Sequence, residues 1–365
     1  MKRIRTKVIS ILLVAALAAA LLAGCSGSGS NQDRKENTRS FTDSAGREVM
    51  VPEEIDRVAV SGPLAQITVF AIAPDEMVAL ATDWSDSARE YIDEKYLDLP
   101  TMGQLYGGNG DLNEEELLKA NPDVIIDVGE AKETIAEDMD QLQEQTGIPC
   151  VHITATLEGM DEAYEMLGEL LGLEDKAAEL SDYCRTSYDR AEQMMEEVGT
   201  DEVTAIYCLG DFGTNVICKG SYFAEVIDLL TDNVAVVDNP SSRGTGNEVS
   251  MEQIYNWDPE VIIFGPDSYY DYVEDDPTWQ DLQAIQNGRY YEVPYAVYNW
   301  MGFPPSAQRY LGLVWLSEVL YPEYCDFDLY TEVDTFFEEF LHCEITEEAF
   351  DALMTKSVDK VEAAA

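Results

Sequence analysis

The tightest constraint on this chain lies between Glu158 and Glu197, where helix-compatible sequence runs almost without interruption. A first helix ends near Gly172. The stretch LEDKAAELSDYCRTSYDRAEQMMEEVG then predicts one rod of roughly 25 residues, about 37 Å at 1.5 Å per residue, which is longer than a single domain needs. Apolar or aromatic positions recur at Leu173, Ala177, Leu180, Cys184, Tyr188 and Met195, so one face packs while acidic residues cover the other. On both sides of the rod the pattern changes. Before it, RVAV leads into PLAQITVFAIA, a helix at Glu115 feeds DVIIDVG, and a helix from Lys132 to Gln145 feeds CVHIT. After it come VTAIYCL, NVICKG, SYFAEVIDLL, VAVVD and a helix at Glu252 that feeds EVIIF. Strands alternating with helices mean parallel-rich α/β units. The expected fold is α/β, with two α/β lobes of parallel-rich sheet joined by one long α-helix: a first lobe over 39–173, a linker helix over 174–199 and a second lobe over 200–365. With 365 residues, 46% of them hydrophobic, there is material for a core in each.

The first 24 residues stand apart. MKRIRTK is a cationic head, VISILLVAALAAALLAG an apolar run, and Cys25 follows, the layout of an export signal. The apolar run is nearly long enough to span a bilayer, which keeps a membrane anchor as the alternative. SGSGSNQ reads as a flexible tether, placed at 25–38. The whole chain carries 72 acidic and 22 basic residues, a formal charge of −50. Losing Lys2, Arg3, Arg5 and Lys7 with the signal takes this to −54 (−50 − 4). Such a surface repels nucleic acid and anionic membrane, and favours a neutral or cationic ligand or a partner with a basic face. The six other cysteines lack the spacing of a disulfide scaffold or a metal knuckle and read as free thiols; only Cys208 and Cys218, flanking DFGTN, are placed to meet across a hairpin. His152 and His342 lie apart from the candidate ligand loops and read as structural, so a bare metal ion bound by protein ligands is not expected.

Two phrases repeat 137 residues apart: EELLKANPDVIID from Glu115 (the glutamate preceded by Asn113-Glu114) and EQIYNWDPEVIIF from Glu252. Asn113 and Ser250 suit helix N-caps, the glutamates suit a first turn where the helix dipole favours an anion, and Pro122 and Pro259 stop the helices before a buried strand. Capping rules alone account for the pattern. Taken in order, Leu22-Ala23-Gly24-Cys25, FTDSAGREVMVP, RVAV, ELLKANPDVII, the long helix and EVSMEQIYNWDPEVII resemble the substrate-binding lipoproteins of ABC importers for ferric siderophores, haem and cobalamin. The resemblance spans essentially the whole chain after the signal. It implies that Cys25 is acylated and anchors the chain outside the cell membrane, on the surface or in a periplasm. It implies a ligand cleft between the lobes and a permease that meets Glu115 and Glu252, one carboxylate per lobe. The implied partners are that permease and a metal chelate or other small molecule, with membrane contact through the lipid only, no nucleic acid, no cofactor and a monomeric state.

Ligands of open parallel sheets sit beyond the carboxyl ends of the strands. Ser61-Gly62-Pro63 follows RVAV and opens a helix. Tyr106 lies in a glycine-rich loop before the Glu115 helix, a loop without nucleotide-binding spacing. Lys219, Ser221 and Tyr222 precede another helix, and Arg243 lies in SSRGTGN before the Glu252 helix. In YNWMGFPPSAQRYLG, Trp300, Ser306 and Arg309 combine aromatic surface, a capping hydroxyl and a scarce cation. Tyrosines and Trp300 suit a broad chelate, whereas Arg309 with helix N-termini suits a small oxyanion such as molybdate or tungstate. A ligand-sensing lipoprotein would use the same lobes. An exported hydrolase lacks its motifs, with no GxSxG and no HExxH.

Overall fold

The computed structural model describes residues 37–104 and 112–358. Cys25 and Tyr106 lie outside the described residues.

FTDSAGREVMVP folds as the antiparallel pair β1 (Thr38–Thr42) and β2 (Glu48–Pro52), with Thr38 opposite Pro52. Asp43 shapes the turn, its Oδ1 accepting the N–H groups of Ala45 at 3.0 Å and Arg47 at 2.9 Å. The first lobe is then a parallel sheet of β3 (Val58–Val60), β4 (Val124–Gly129) and β5 (Cys150–Thr154), in that order. The central strand is buried from Val124 to Val128, as a parallel strand covered on both faces must be. Around the sheet lie α1 (Pro63–Ile72), α2 (Glu114–Ala120) and α3 (Ile135–Thr146).

Two helices follow, α4 (Met160–Leu171) and α5 (Glu174–Val198), the second being the 25-residue rod the sequence predicts. Its buried face is Ala177, Leu180, Ser181, Cys184, Ser187, Ala191, Met194 and Val198. Tyr188 and Met195, expected on that face, are only half-buried at its margin. Small residues win the seam because α4 lies close: a Cβ on Gly168 would run into the Ala177 Cβ.

The second lobe has a mixed sheet ordered β11-β10-β6-β7-β9, in which β6 (Thr204–Leu209), β7 (Asn215–Ile217), β9 (Asn247–Glu248), β10 (Val261–Phe264) and β11 (Tyr290–Glu292) are joined by the short β8 (Asp232–Asn233) beside β6. Parallel pairing joins β8 and β10 to β6 and β11 to β10. The edge made by β7 and β9 is antiparallel, because the five residues between β6 and β7 allow a hairpin and are too few for a crossover. Cys208 faces Val216 across that hairpin, two residues out of register with Cys218, and the six cysteines among the described residues are free thiols.

The remaining helices are α6 (Glu225–Leu230), α7 (Met251–Trp257), α8 (Arg309–Leu320), α9 (Leu329–Leu341) and α10 (Glu347–Met354). One continuous core runs from β3 and α1 through α4 and α5 into β6, α8 and α9. The last part of the chain therefore leans back on the first lobe, with α9 against α1. Ser306 Oγ lies 2.9 Å from Thr68 Oγ1, and His342 Nε2 is 2.9 Å from the Phe70 carbonyl oxygen.

The repeated phrases fold alike. Asn113 Oδ1 accepts the N–H groups of Glu115 and Glu116, and Ser250 Oγ that of Gln253. Neither helix runs up to its proline. Each ends on a left-handed residue, Asn121 (φ 50°) or Asp258 (φ 38°), and the proline then starts the extended entry into the strand.

Candidate functional site

A cleft of about 290 Å³ opens between the lobes at the carboxyl ends of the first-lobe strands. The first lobe contributes Ser61 to Ala65 after β3, Asp127 to Gly129 at the carboxyl end of β4, and Glu130, Lys132 and Ile135 beyond it; the second contributes Tyr222, Phe223, Ser242, Pro304 and Pro305. Parallel strands bring this about, since each delivers its following loop to the same edge. A hollow of about 310 Å³ behind the rod is a poorer candidate. It lies away from the strand ends, and its one arginine, Arg190, is already held by both carboxylate oxygens of Glu332 at 2.8 and 3.2 Å.

The first-lobe wall is a buried polar chain. Ser61 Oγ donates to Asp127 Oδ1, and His152 Nδ1 donates to Asp127 Oδ2 at 2.7 Å, leaving Nε2 to accept from Thr154 Oγ1 at 3.3 Å. The register of β4 and β5, with Asp127 opposite His152, produces the contact. His152, expected to stand apart from the ligand loops, thus sits one residue behind the cleft wall. The carboxylate lies between hydroxyl and imidazole, so His152 does not reach Ser61 and the trio lacks the serine–histidine contact of a nucleophilic triad. Above it, α1 begins with an extended Gly62 and Pro63, with no side-chain cap and no acid in its first turn.

The second-lobe wall is aromatic. The Tyr222 and Phe223 rings meet edge to face at 6.1 Å, and Phe223 stacks on Phe303 at 5.2 Å. Tyr222 also closes the floor by donating to the Ala155 carbonyl of the first lobe. Burial pushes its phenol up to about 12, against the opposing pull of Arg309.

Of the expected ligand residues, Ser61, Gly62, Pro63 and Tyr222 converge on the cleft. Arg309 does not line it. It is 1% exposed, ion-paired to Glu225 and seated 5.1 Å from the Tyr222 ring centroid, while its Nε and Nη2 have no hydrogen-bond partner among the described residues. A cation this deep needs a protein carboxylate, and Glu225 supplies it. Trp300 is core, and Ser306 is spent on Thr68 instead of capping a helix. Lys219 reaches out to Asp232 at 2.9 Å, Ser221 is buried, and Arg243 is exposed beside Ser242. Ser242, Pro304 and Pro305 come from two of the expected ligand loops, whereas Asp127, Glu130, Lys132 and Phe223 were not expected. Asp127 was within reach, because it lies toward the carboxyl end of a strand that the sequence shows. Among the described residues no group of three or more His, Cys, Asp or Glu is poised to hold a metal ion.

Residues 71–296 match the family model described as periplasmic binding protein. The molybdate-binding protein MolA of Haemophilus influenzae is 25% identical over 83% of this chain and 90% of its own length. The Fe(3+)-citrate-binding protein YfmC of Bacillus subtilis is 22% identical over 80% and 91%. Among solved structures, an ABC transporter solute binding protein from Sulfurospirillum deleyianum superposes with a TM-score of 0.79 at 27% identity, covering 87% of this chain and 99% of its own. Two lobes on a shared helix, a cleft at the strand ends and these likenesses agree: the chain belongs to the periplasmic binding protein family, as an extracytoplasmic substrate-binding protein of an ABC transporter.

Proposed function

We propose that this protein captures a metal chelate in the interlobe cleft and hands it to an ABC importer permease. The carrying observation is the cleft's two-sided chemistry. One wall offers Tyr222, Phe223, Pro304 and Pro305, and the other offers Ser61, Asp127, Glu130 and Lys132. An apolar body carrying hydroxyl or amide donors fits both walls, and a metal arriving already wrapped needs no protein ligands. The volume, about 290 Å³, lies at the lower end of the roughly 300–1,000 Å³ of small-molecule sites. A bare oxyanion would leave most of it empty and would meet two carboxylates.

The oxyanion remains the second reading, supported by the uncapped start of α1 beside the cleft, by Lys132 and by the likeness to a molybdate-binding protein. In both readings the chain is tethered through Cys25, and the exposed Glu115 and Glu252 meet basic residues of the permease, contributing more to register and on-rate than to affinity. Native mass spectrometry of the soluble domain with ferric siderophores, ferric citrate, haem, cobalamin, molybdate and tungstate tests the proposal. A retained chelate supports it, retention of an oxyanion alone transfers support to the second reading, and failure to retain any of them sinks both.

A further inference from the structure

Large apolar side chains exposed to water are few among the described residues, and two of them occupy equivalent places. Leu118 is 51% exposed and Tyr255 36% exposed. Each stands three residues after the exposed glutamate of its repeat, so carboxylate and apolar group are neighbours on one helix face. The preceding residues, Leu117 and Ile254, are fully buried and pin each helix to its lobe, which forces the next side chain outward. The tyrosine is held as well as exposed, because its hydroxyl donates to the Thr278 carbonyl. A third member joins on the second lobe. Phe212, 73% exposed, rides the turn between β6 and β7, and that turn is tied to the entry of α7 by the Val249 N–H donating to Thr214 at 2.9 Å. Scattered exposed apolar residues are ordinary on any protein. The same acidic and apolar pair at the same repeat position in both lobes is not scatter.

We infer that Leu118 and Tyr255, with Phe212 on the turn tied to the entry of the second helix, are the apolar anchors by which the two lobes seat on the two like halves of the membrane permease. The inference rests on the reading of Glu115 and Glu252 as docking carboxylates and adds the groups that supply contact area. An acidic rim around an exposed apolar residue complements a basic rim around an apolar recess, and desolvating that centre is what makes a steered encounter last. Two equivalent patches in one chain call for a partner with two equivalent surfaces.

The test is photocrosslinking in the native membrane with the full-length lipoprotein, placing a photoreactive residue singly at 118, 255 and 212, at Gln253 beside the docking glutamate, and at exposed Met50 as control, with crosslinked partners identified by mass spectrometry. Positions 118, 255 and 212 are expected to capture the permease transmembrane subunit at least fivefold above Met50, and charge reversal of Glu115 and Glu252 should remove the product. Leu118→Ser with Tyr255→Ser should lower the crosslink at Gln253 at least tenfold, while the soluble domain stays folded and its melting temperature falls by no more than loss of the one exposed Tyr255–Thr278 hydrogen bond accounts for. Capture of the permease at Gln253 alone, with the double serine variant without effect, overturns this inference and leaves the docking reading intact. Failure at every position overturns both, and capture of cell-wall glycan or a second copy of this chain at 118, 255 and 212 overturns the inference in favour of that partner.

Discussion

At the residue scale the most informative group is Arg309, because a scarce cation in an acidic chain turns out to serve the fold. Its partner Glu225 is 26% exposed, also accepts the Leu157 N–H of the first lobe, and has its carboxyl pushed up from 4.5 by burial, against the pull of Arg309. Arg309→Met removes that pull and leaves the acid buried without a cation. The folded-state pKa then lies further above the unfolded value, so stability is retained at low pH and lost as pH rises through the folded value. The variant is expected to lose somewhat less than the roughly 3–5 kcal/mol of a fully buried broken pair, with the larger loss at pH 8 and the smaller at pH 4.5. Urea unfolding at the two pH values reads this directly, and an equal loss at both would contradict the account. Sequence alone left two readings of Arg309 because spacing places it in a helix and composition marks it as rare, while neither says which face of the helix is covered.

At the element scale the α4–α5 hairpin decides the architecture. The sequence shows both helices and the glycine between them, since a 25-residue periodic run has few alternatives. It does not show the seam, where Gly168 and Ala177 touch and the serines at 181 and 187 are buried. Gly168→Ala adds one methyl to a contact without room. Overpacking of roughly 1–3 kcal/mol outweighs the helix-propensity gain of about 1 kcal/mol, and Ala177→Gly in the same chain should restore part of the loss. Thermal melts of the single and double variants check it, and additive losses would mean that the two positions do not share a contact. Gly312 on α8 is held by the same kind of approach, its would-be Cβ meeting the Trp300 backbone.

At the scale of the whole molecule, the lobes share more than a linker. Tyr222 reaches Ala155, Tyr310 Oη donates to the Leu157 carbonyl at 2.6 Å, Ser306 meets Thr68, and α9 lies on α1. Opening the cleft widely would break this buried floor, so ligand binding should change the radius of gyration by no more than roughly 1 Å. Small-angle scattering with and without the retained ligand measures it, and a change of several ångströms would show that the floor parts. Hydrogen exchange should likewise find α5 protected without ligand, because its inner face is core. What the sequence determined by itself was the alternation of strands and helices, the rod between two lobes, the paired capped helices at Glu115 and Glu252 and the loop that begins at Ser61. These depend on local periodicity and capping, which neighbouring residues encode. Tertiary structure alone decided that Asp127 faces His152, that Arg309 turns inward to Glu225, that Trp300 is core and that Tyr222 closes the cleft floor. Each is a meeting of residues distant in sequence, selected by strand register and by which helix face finds cover, and no local pattern carries that information.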